Sequence, residues 1–261
     1  MKVATWNVNS LRVRLGQLKD WLADNPVDAI GLQELKLPDE DFPADEIAAL
    51  GLHAAWYGQK TYNGVAIVSR TPPEEVVCGI PGFDDPQRRV IAATIGGVRI
   101  IDVYVPNGQS VGSDKYAYKL DWLSRLTGYV ADSLRRYPRL LVVGDYNIAP
   151  DDRDVHDPAK WEGSVHVSDA ERQALATLLG TGLQDTFRLF EQPPGTFSWW
   201  DYRMGAFRRN HGLRIDLLLA SRELAQCCIG CSVDRGPRAL ERPSDHAPVT
   251  ADFDLGSRPE V

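Results

Sequence analysis

The segment Leu140-Leu141-Val142-Val143-Gly144-Asp145-Tyr146-Asn147-Ile148-Ala149-Pro150 constrains this chain more than any other. An apolar run of strand length ends in a glycine, a carboxylate and an amide, and a proline then stops the extended pattern. This is the pattern of a buried strand that carries two polar groups to the edge of a sheet. If Asp145 and Asn147 alternate about Tyr146 in extended backbone, their side chains share one face. Two such groups suit a charged ligand and fit a hydrophobic core badly. Gly-Asp-x-Asn is by itself also an ordinary turn, because Asp and Asn both form turns readily.

The rest of the chain repeats the arrangement. Residues 2–8 alternate as a strand ending at Asn7, and Ser10 is placed to cap a helix with Leu11, Leu15, Leu18 and Leu22 on one face. Residues 28–34 form a nearly continuous apolar strand that again closes on a polar pair, Gln33-Glu34. A short helix over 43–50 stops at Gly51, and strands near 53–58, 64–70 and 74–80 follow. Residues 89–95 and 98–105, joined by Gly96-Gly97, make the clearest hairpin. Pro106-Asn107-Gly108 breaks its second strand just past Tyr104.

A long amphipathic helix is predicted over 114–136, with Tyr118, Trp122, Leu123, Leu126 and Val130 inward. After a polar loop over 151–167, Ser168 and Glu171 stand in capping-box spacing at the start of a helix reaching Leu179. Strands near 196–200, 212–220, 225–234 and 246–254 close the chain. No linker or repeat divides it, so one domain is expected over 1–255, with a frayed tail at 256–261. Many hairpin-compatible strands with helices inserted between them predict an α/β sandwich of two packed, mostly antiparallel sheets with helices outside. A doubly wound parallel fold would need crossover helices that the Gly96-Gly97 hairpin and the closing strands lack.

With 261 residues, 43% of them hydrophobic, the chain can bury a core without staples. The start has no signal-peptide pattern and no stretch is long enough to span a bilayer, so a cytoplasmic monomer, nucleoid-associated when acting on DNA, is expected. Cys227, Cys228 and Cys231 contain one Cys-x-x-Cys pair, but with Cys78 they complete no zinc set, and all four are expected reduced and half-buried in strands. A net charge of −7 argues against non-specific coating of nucleic acid. It does not exclude a polyanionic substrate, since a carboxylate cluster is neutralised by the cations it binds.

Asn7, Glu34, Tyr104, Asp145, Asn147, Asp216 and Ser244-Asp245-His246 all fall at or just past the end of an apolar strand. Carboxylates, amides, a phenol and an imidazole are what metal-assisted phosphodiester hydrolysis uses. Oxygen ligands from Glu34, with Asn7 and Asp245, suit Mg²⁺ or Mn²⁺. Asp145 can deprotonate a water, and a histidine buttressed by an aspartate can aim a donor at phosphoryl oxygens. Each residue also has a plainer role. Asp216 can belong to an ion pair near Arg214, Asp245-His246 to a turn, Glu34 to a solvated strand exit and Tyr104 to a rim.

The set Thr5-Trp6-Asn7-Val8-Asn9, Leu32-Gln33-Glu34-Leu35-Lys36, Gly144-Asp145-Tyr146-Asn147-Ile148, Gly212-Leu213-Arg214-Ile215-Asp216 and Ser244-Asp245-His246-Ala247-Pro248 closely resembles bacterial exonuclease III and the apurinic/apyrimidinic (AP) endonucleases. These belong to the endonuclease/exonuclease/phosphatase group. The resemblance runs from residue 2 to about 254 and includes residues 83–89 and Thr186-Phe187-Arg188. It implies a four-layer α/β sandwich and Mg²⁺-dependent cleavage of duplex DNA 5′ to abasic sites, with 3′-to-5′ exonuclease and 3′-phosphatase activity. Carried over by position, Glu34 is the principal metal ligand, with Asn7, Asp145, Asn147 and Asp245 around it. Asp145 activates water, Asn147 donates to the phosphate, Tyr104 contacts the phosphate or leaving group, and His246, held by Asp216, binds the scissile phosphate.

The resemblance also makes Trp199, Leu213 and Ile215 the wall of a pocket for a flipped sugar without a base. Arg203, Arg208, Arg209 and Arg214, among Trp199, Trp200, Tyr202 and Phe207, form the expected DNA rim, and Lys36, Lys60 and Asn63 add phosphate contacts. Asn107 replaces the glutamine usual in exonuclease III proper, so abasic-site incision is expected to dominate. Two other readings remain: a phosphatase or phosphodiesterase for lipid, inositol or nucleotide substrates, and a nucleic-acid-binding module without catalysis. The second would be expected to have lost Glu34, Asp145, Asp216 or His246, and all four are present.

Overall fold

In the computed structural model, which describes residues 1–256, two six-stranded sheets pack face to face. The first runs in the order β11 (Cys228–Val233), β12 (Val249–Phe253), β1 (Lys2–Asn7), β2 (Ala29–Gln33), β4 (Val65–Ser69), β3 (His53–Tyr57). The second runs β5 (Glu74–Cys78), β6 (Val90–Ile95), β7 (Val98–Tyr104), β8 (Leu140–Asp145), β10 (Asp216–Ser221), β9 (Leu183–Asp185). Among the described residues one neighbouring pair in each sheet is parallel, β1 with β2 and β7 with β8, and the other pairs are antiparallel.

The helices α1 (Leu11–Asp24) and α2 (Ala44–Ala48) cover the first sheet, setting Leu18, Trp21 and Ile47 against Trp6, Ile30 and Val68. On the second sheet lie α3 (Asp114–Arg136) and, beyond the short α4 (Pro158–Trp161), α5 (Asp169–Leu179), where Trp122, Leu126 and Leu178 meet Val103, Val142 and Leu219. The two sheets meet over Val3, Ile67, Ile100, Val143 and Leu218. This is the four-layer sandwich expected. It explains why the apolar runs within β2, β4, β8 and β10 are continuous rather than alternating: each strand is covered on both faces and buried along its length.

Local signals read from sequence hold best where one helix or hairpin decides them. The Ser168/Glu171 capping box is formed at the start of α5, and at the start of α3 Ser113 Oγ, a cap not among the expectations, accepts from Tyr116 N at 3.2 Å. Ser10 occupies the cap position of α1, yet its side chain makes no cap bond. Its φ of 90° turns the chain back, and Ser10 N and Leu11 N instead donate to Glu34 O and Leu35 O at 2.8 and 3.0 Å. The strand expected over 196–200 is irregular backbone carrying isolated bridges from Trp199 to Leu213 and to His246. The strand expected from 212 begins at Asp216, and β9 was not foreseen. The four cysteines are free, with Cys78 exposed rather than half-buried. From residue 257 on, the expected tail lies outside the described residues. No helix among the described residues is long and apolar enough to cross a membrane.

Candidate active site

The two parallel strand pairs bring polar residues to one rim. β1 ends at Asn7 beside Gln33 at the end of β2, while β7 ends at Tyr104, in register with Asp145 at the end of β8. Antiparallel β10 starts there, its first residue Asp216 facing Asp145. The link between the sheets is made at this rim by Asn7, whose Nδ2 donates to Glu34 Oε1 and to Asp145 Oδ2, both at 2.9 Å. Glu34 and Asn147 lie one and two residues beyond their strands, both with left-handed backbone, φ 54° and 51°. Asn147 therefore reaches the site through a tight turn, its N donating to Asp145 Oδ1 at 2.9 Å, and not through the extended alternation expected. Gly144 permits the turn: a Cβ there would stand 1.9 Å from Val103 O.

His246 lies between two carboxylates. Its Nδ1 is 2.9 Å from Asp216 Oδ2, and its Nε2 is 3.7 Å from Asp145 Oδ2. Burial alone would lower the imidazole, but the charges of Asp216 and Asp145 outweigh it and hold the group protonated, up to about 10. Burial pushes Asp145 up to about 7, against the opposing pull of His246. Asp216 is in turn fixed by Ser198, whose Oγ donates to Asp216 Oδ2 at 2.6 Å and accepts from the amides of Ile215 and Asp216. The structural ion pair considered for Asp216 is absent: Arg214 pairs instead with Asp154 and Asp185. Tyr104 lies beside Glu34, its phenol raised well above its usual range by burial and by that carboxylate.

A carboxylate oxygen from each of Glu34 and Asp145 and a ring nitrogen of His246 lie within 4.8 Å of one another. Two carboxylates in this cluster form a hard, oxygen-rich donor set that fits a divalent cation of the Mg²⁺ class. Asn7 turns its NH₂ toward the carboxylates while its Oδ1 accepts from Asn9 N at 2.9 Å. The carboxylate of Asp245 accepts from Asn9 Nδ2 at 2.9 Å and from Trp199 Nε1 at 3.0 Å. Asn147 likewise presents its NH₂ inward, to Val105 O and Asp145. In this arrangement Asn7, Asn147 and Asp245 order the carboxylates and the loops around them.

Residues 4–246 match the endonuclease/exonuclease/phosphatase family. The chain belongs to that family. Exodeoxyribonuclease III of Haemophilus influenzae is 35% identical over 97% of this chain and all of its own length. Among solved structures, a 3′-phosphatase from Neisseria bound to a product DNA hairpin superposes with a TM-score of 0.96 at 52% identity, covering 97% of this chain and 99% of that one. An AP endonuclease from Archaeoglobus fulgidus superposes at 0.94 with 38% identity, covering 98% and 100%.

Outside the central cluster the members expected at the DNA surface separate. Arg203 is exposed and pairs with Asp201, and Arg208 and Arg209 are exposed beside it. Arg214 is 1% exposed and sealed between Asp154 and Asp185, so it is no part of a DNA rim. Its position before β10 points it into the protein, a direction that sequence spacing does not encode. Lys36 is drawn into the site, with Nζ 2.8 Å from Glu34 Oε2 and bonded to Asn9 Oδ1. Asn63 and Lys36 line a groove of about 890 Å³ that opens beside Glu34, Tyr104 and Asn107, while Lys60 lines a neighbouring recess.

Leu213 and Ile215 are buried in a packed cluster with Ala149, Val155 and Val167, against which Trp161 and Trp199 lean. Beside this cluster stands buried His166, in left-handed backbone, φ 79°, with Nδ1 2.6 Å from Asn147 O and Nε2 3.5 Å from Asn107 Nδ2. Burial lowers it to about 4, which keeps it neutral. Three residues around the site went unassigned in the sequence: Asn9, Ser198 and His166. Asn9 lies in a quoted motif and Ser198 has no signal beyond its neighbour Trp199. His166 lies in a polar loop whose path only the fold defines.

Proposed function

We propose that this protein is a metal-dependent DNA-repair nuclease that holds Mg²⁺, with Mn²⁺ as a substitute, at Glu34 and Asp145 and hydrolyses phosphoesters of DNA. The observation that carries this is the meeting of Glu34, Asp145, Asp216 and His246 at one rim, in a chain 35% identical to an exodeoxyribonuclease III. A bound divalent cation supplies charge stabilisation for the phosphoryl oxygens. Asp145, raised by burial, takes the proton of the attacking water. Protonated His246 donates from Nε2 to the scissile phosphate, while Asp216 holds Nδ1. The amides of Asn147 and Asn107 and the neutral Tyr104 phenol add donors around the same phosphate.

We infer that chemistry at DNA 3′ ends comes first. Two solved structures at 52% identity are of one Neisseria protein, called a 3′-phosphatase in one and a 3′-5′ exonuclease in the other. Leu213 and Ile215 are packed away, and the open groove lies on the Tyr104 and Asn107 side. This reverses the weight that Asn107 alone gave to abasic incision. Incision remains the second reading, favoured by the 38% identical AP endonuclease and by the half-buried edge of Trp199.

Two duplexes decide between them, one ending in a 3′ phosphate and one holding an internal abasic analogue, each with Mg²⁺ and with EDTA. Faster removal of the 3′ phosphate, lost with EDTA, is the expected result. Faster nicking at the abasic site would establish the second reading. Turnover of a lipid, inositol or nucleotide phosphoester with neither duplex touched would overturn both.

A further inference from the structure

Beneath the rim lies a buried ion pair that the chemistry above does not use. Lys119 of α3 and Glu171 of α5 have fully buried side chains and pair with each other. The Lys119 ammonium also donates to Asn147 O at 2.7 Å and to Asn107 O at 3.1 Å. Its three protons therefore have three acceptors, and none is left for a substrate. Glu171 is equally committed: Oε1 also accepts from His166 N at 3.0 Å, and Oε2 accepts from Ser168 Oγ at 2.5 Å and Ser168 N at 3.3 Å.

We propose that Lys119 is a positioning residue for the phosphate-contacting amides, clamping the turns of Asn107 and Asn147 from below and tying both to α5 through Glu171. The two residues it grips follow different strands, β7 and β8, and their side chains meet above the clamp, Asn107 Nδ2 lying 3.4 Å from Asn147 Oδ1. Asn147 has left-handed backbone, and Lys119 joins its turn to α3 where its other bonds reach Asp145, Val105 and, on the same carbonyl, His166. A pair of apolar side chains would fill the same space without the cost of desolvating two charges. Such a pair could not hold two carbonyls. The ammonium thus fixes two amides that contribute to the transition state, and a displacement of about 1 Å at such groups lowers rates on the order of 10²-fold.

The inference rests on the nuclease reading, so wild-type turnover of the 3′-phosphate duplex with Mg²⁺ is measured first; its absence counts against that reading alone. The double variant Lys119→Met/Glu171→Leu removes both charges together. It is compared with Leu126→Ala, a buried core change two turns further along the same helix. At a temperature where both are folded, the double variant is expected to lose about 10- to 100-fold in kcat with KM within about threefold of wild type. Leu126→Ala is expected to melt earlier and keep its kcat. Wild-type kcat in the double variant, or equal kcat losses in both, would overturn the assignment. If the double variant does not fold, Glu171→Gln decides: a kcat loss of about threefold or more at unchanged KM supports the clamp, and unchanged kcat overturns it.

Discussion

His246 is charged because its neighbours are, and this makes a pH signature. Its folded pKa, about 10, lies above the ordinary 6.5, so its contribution to stability is full below pH 6.5 and is lost as pH rises toward 10. With metal removed by EDTA, wild type should lose Tm more steeply than His246→Gln between pH 7 and 9.5; parallel curves would exclude the raised value. At the same scale, Asp145→Asn should cut turnover by about 10²–10⁴-fold while DNA binding persists, because it deletes the proposed base. The two arginines separate cleanly. Arg214→Met takes a guanidinium from buried Asp154, which keeps Arg188, and from half-buried Asp185, and should cost about 3 kcal/mol of stability in denaturant titrations. Arg203→Ala, at an exposed position, should leave stability intact and lower the salt slope of DNA binding by about 1.

At the scale of the element, the end of β8 shows how a strand is made to deliver chemistry. Gly144 adopts φ 146° against Val103 O, and Asp145 then accepts the amide of Asn147 to turn the chain. Gly144→Ala should therefore destabilise by about 3 kcal/mol or more, combining strain with overpacking, and thermal melts measure it. The run of residues 140–150 disclosed the strand and its polar end, because burial on both faces demands continuous apolar sequence. It did not disclose the turn: Asp and Asn side chains on adjacent backbone can share a face or share a hydrogen bond, and the choice depends on Val103 across the ladder. The α5 cap was legible for the opposite reason, since its two bonds join residues three apart. Ser10 failed as a cap because its own amide and that of Leu11 bond the carbonyls of Glu34 and Leu35, far along the chain, and its φ of 90° departs from the extended backbone of a capping residue.

For the whole molecule, the sandwich matters because one rim gathers residues from both sheets. Asn7 bonding to Glu34 and Asp145 spans that junction, so a cation seated there stabilises the folded state by mass action. The types of group at the site, and the strand ends that bear them, were determined by sequence, since each apolar run must stop where its polar residue begins. The family's motifs carried the same information. Tertiary structure alone decided which of those groups face one another. It set His246 between Asp216 and Asp145, turned Arg214 inward to Asp154 and Asp185, and brought Lys119 and His166 beneath Asn107 and Asn147. Partners of this kind lie tens to hundreds of residues apart, and their distances follow from strand register and packing, which no local spacing records.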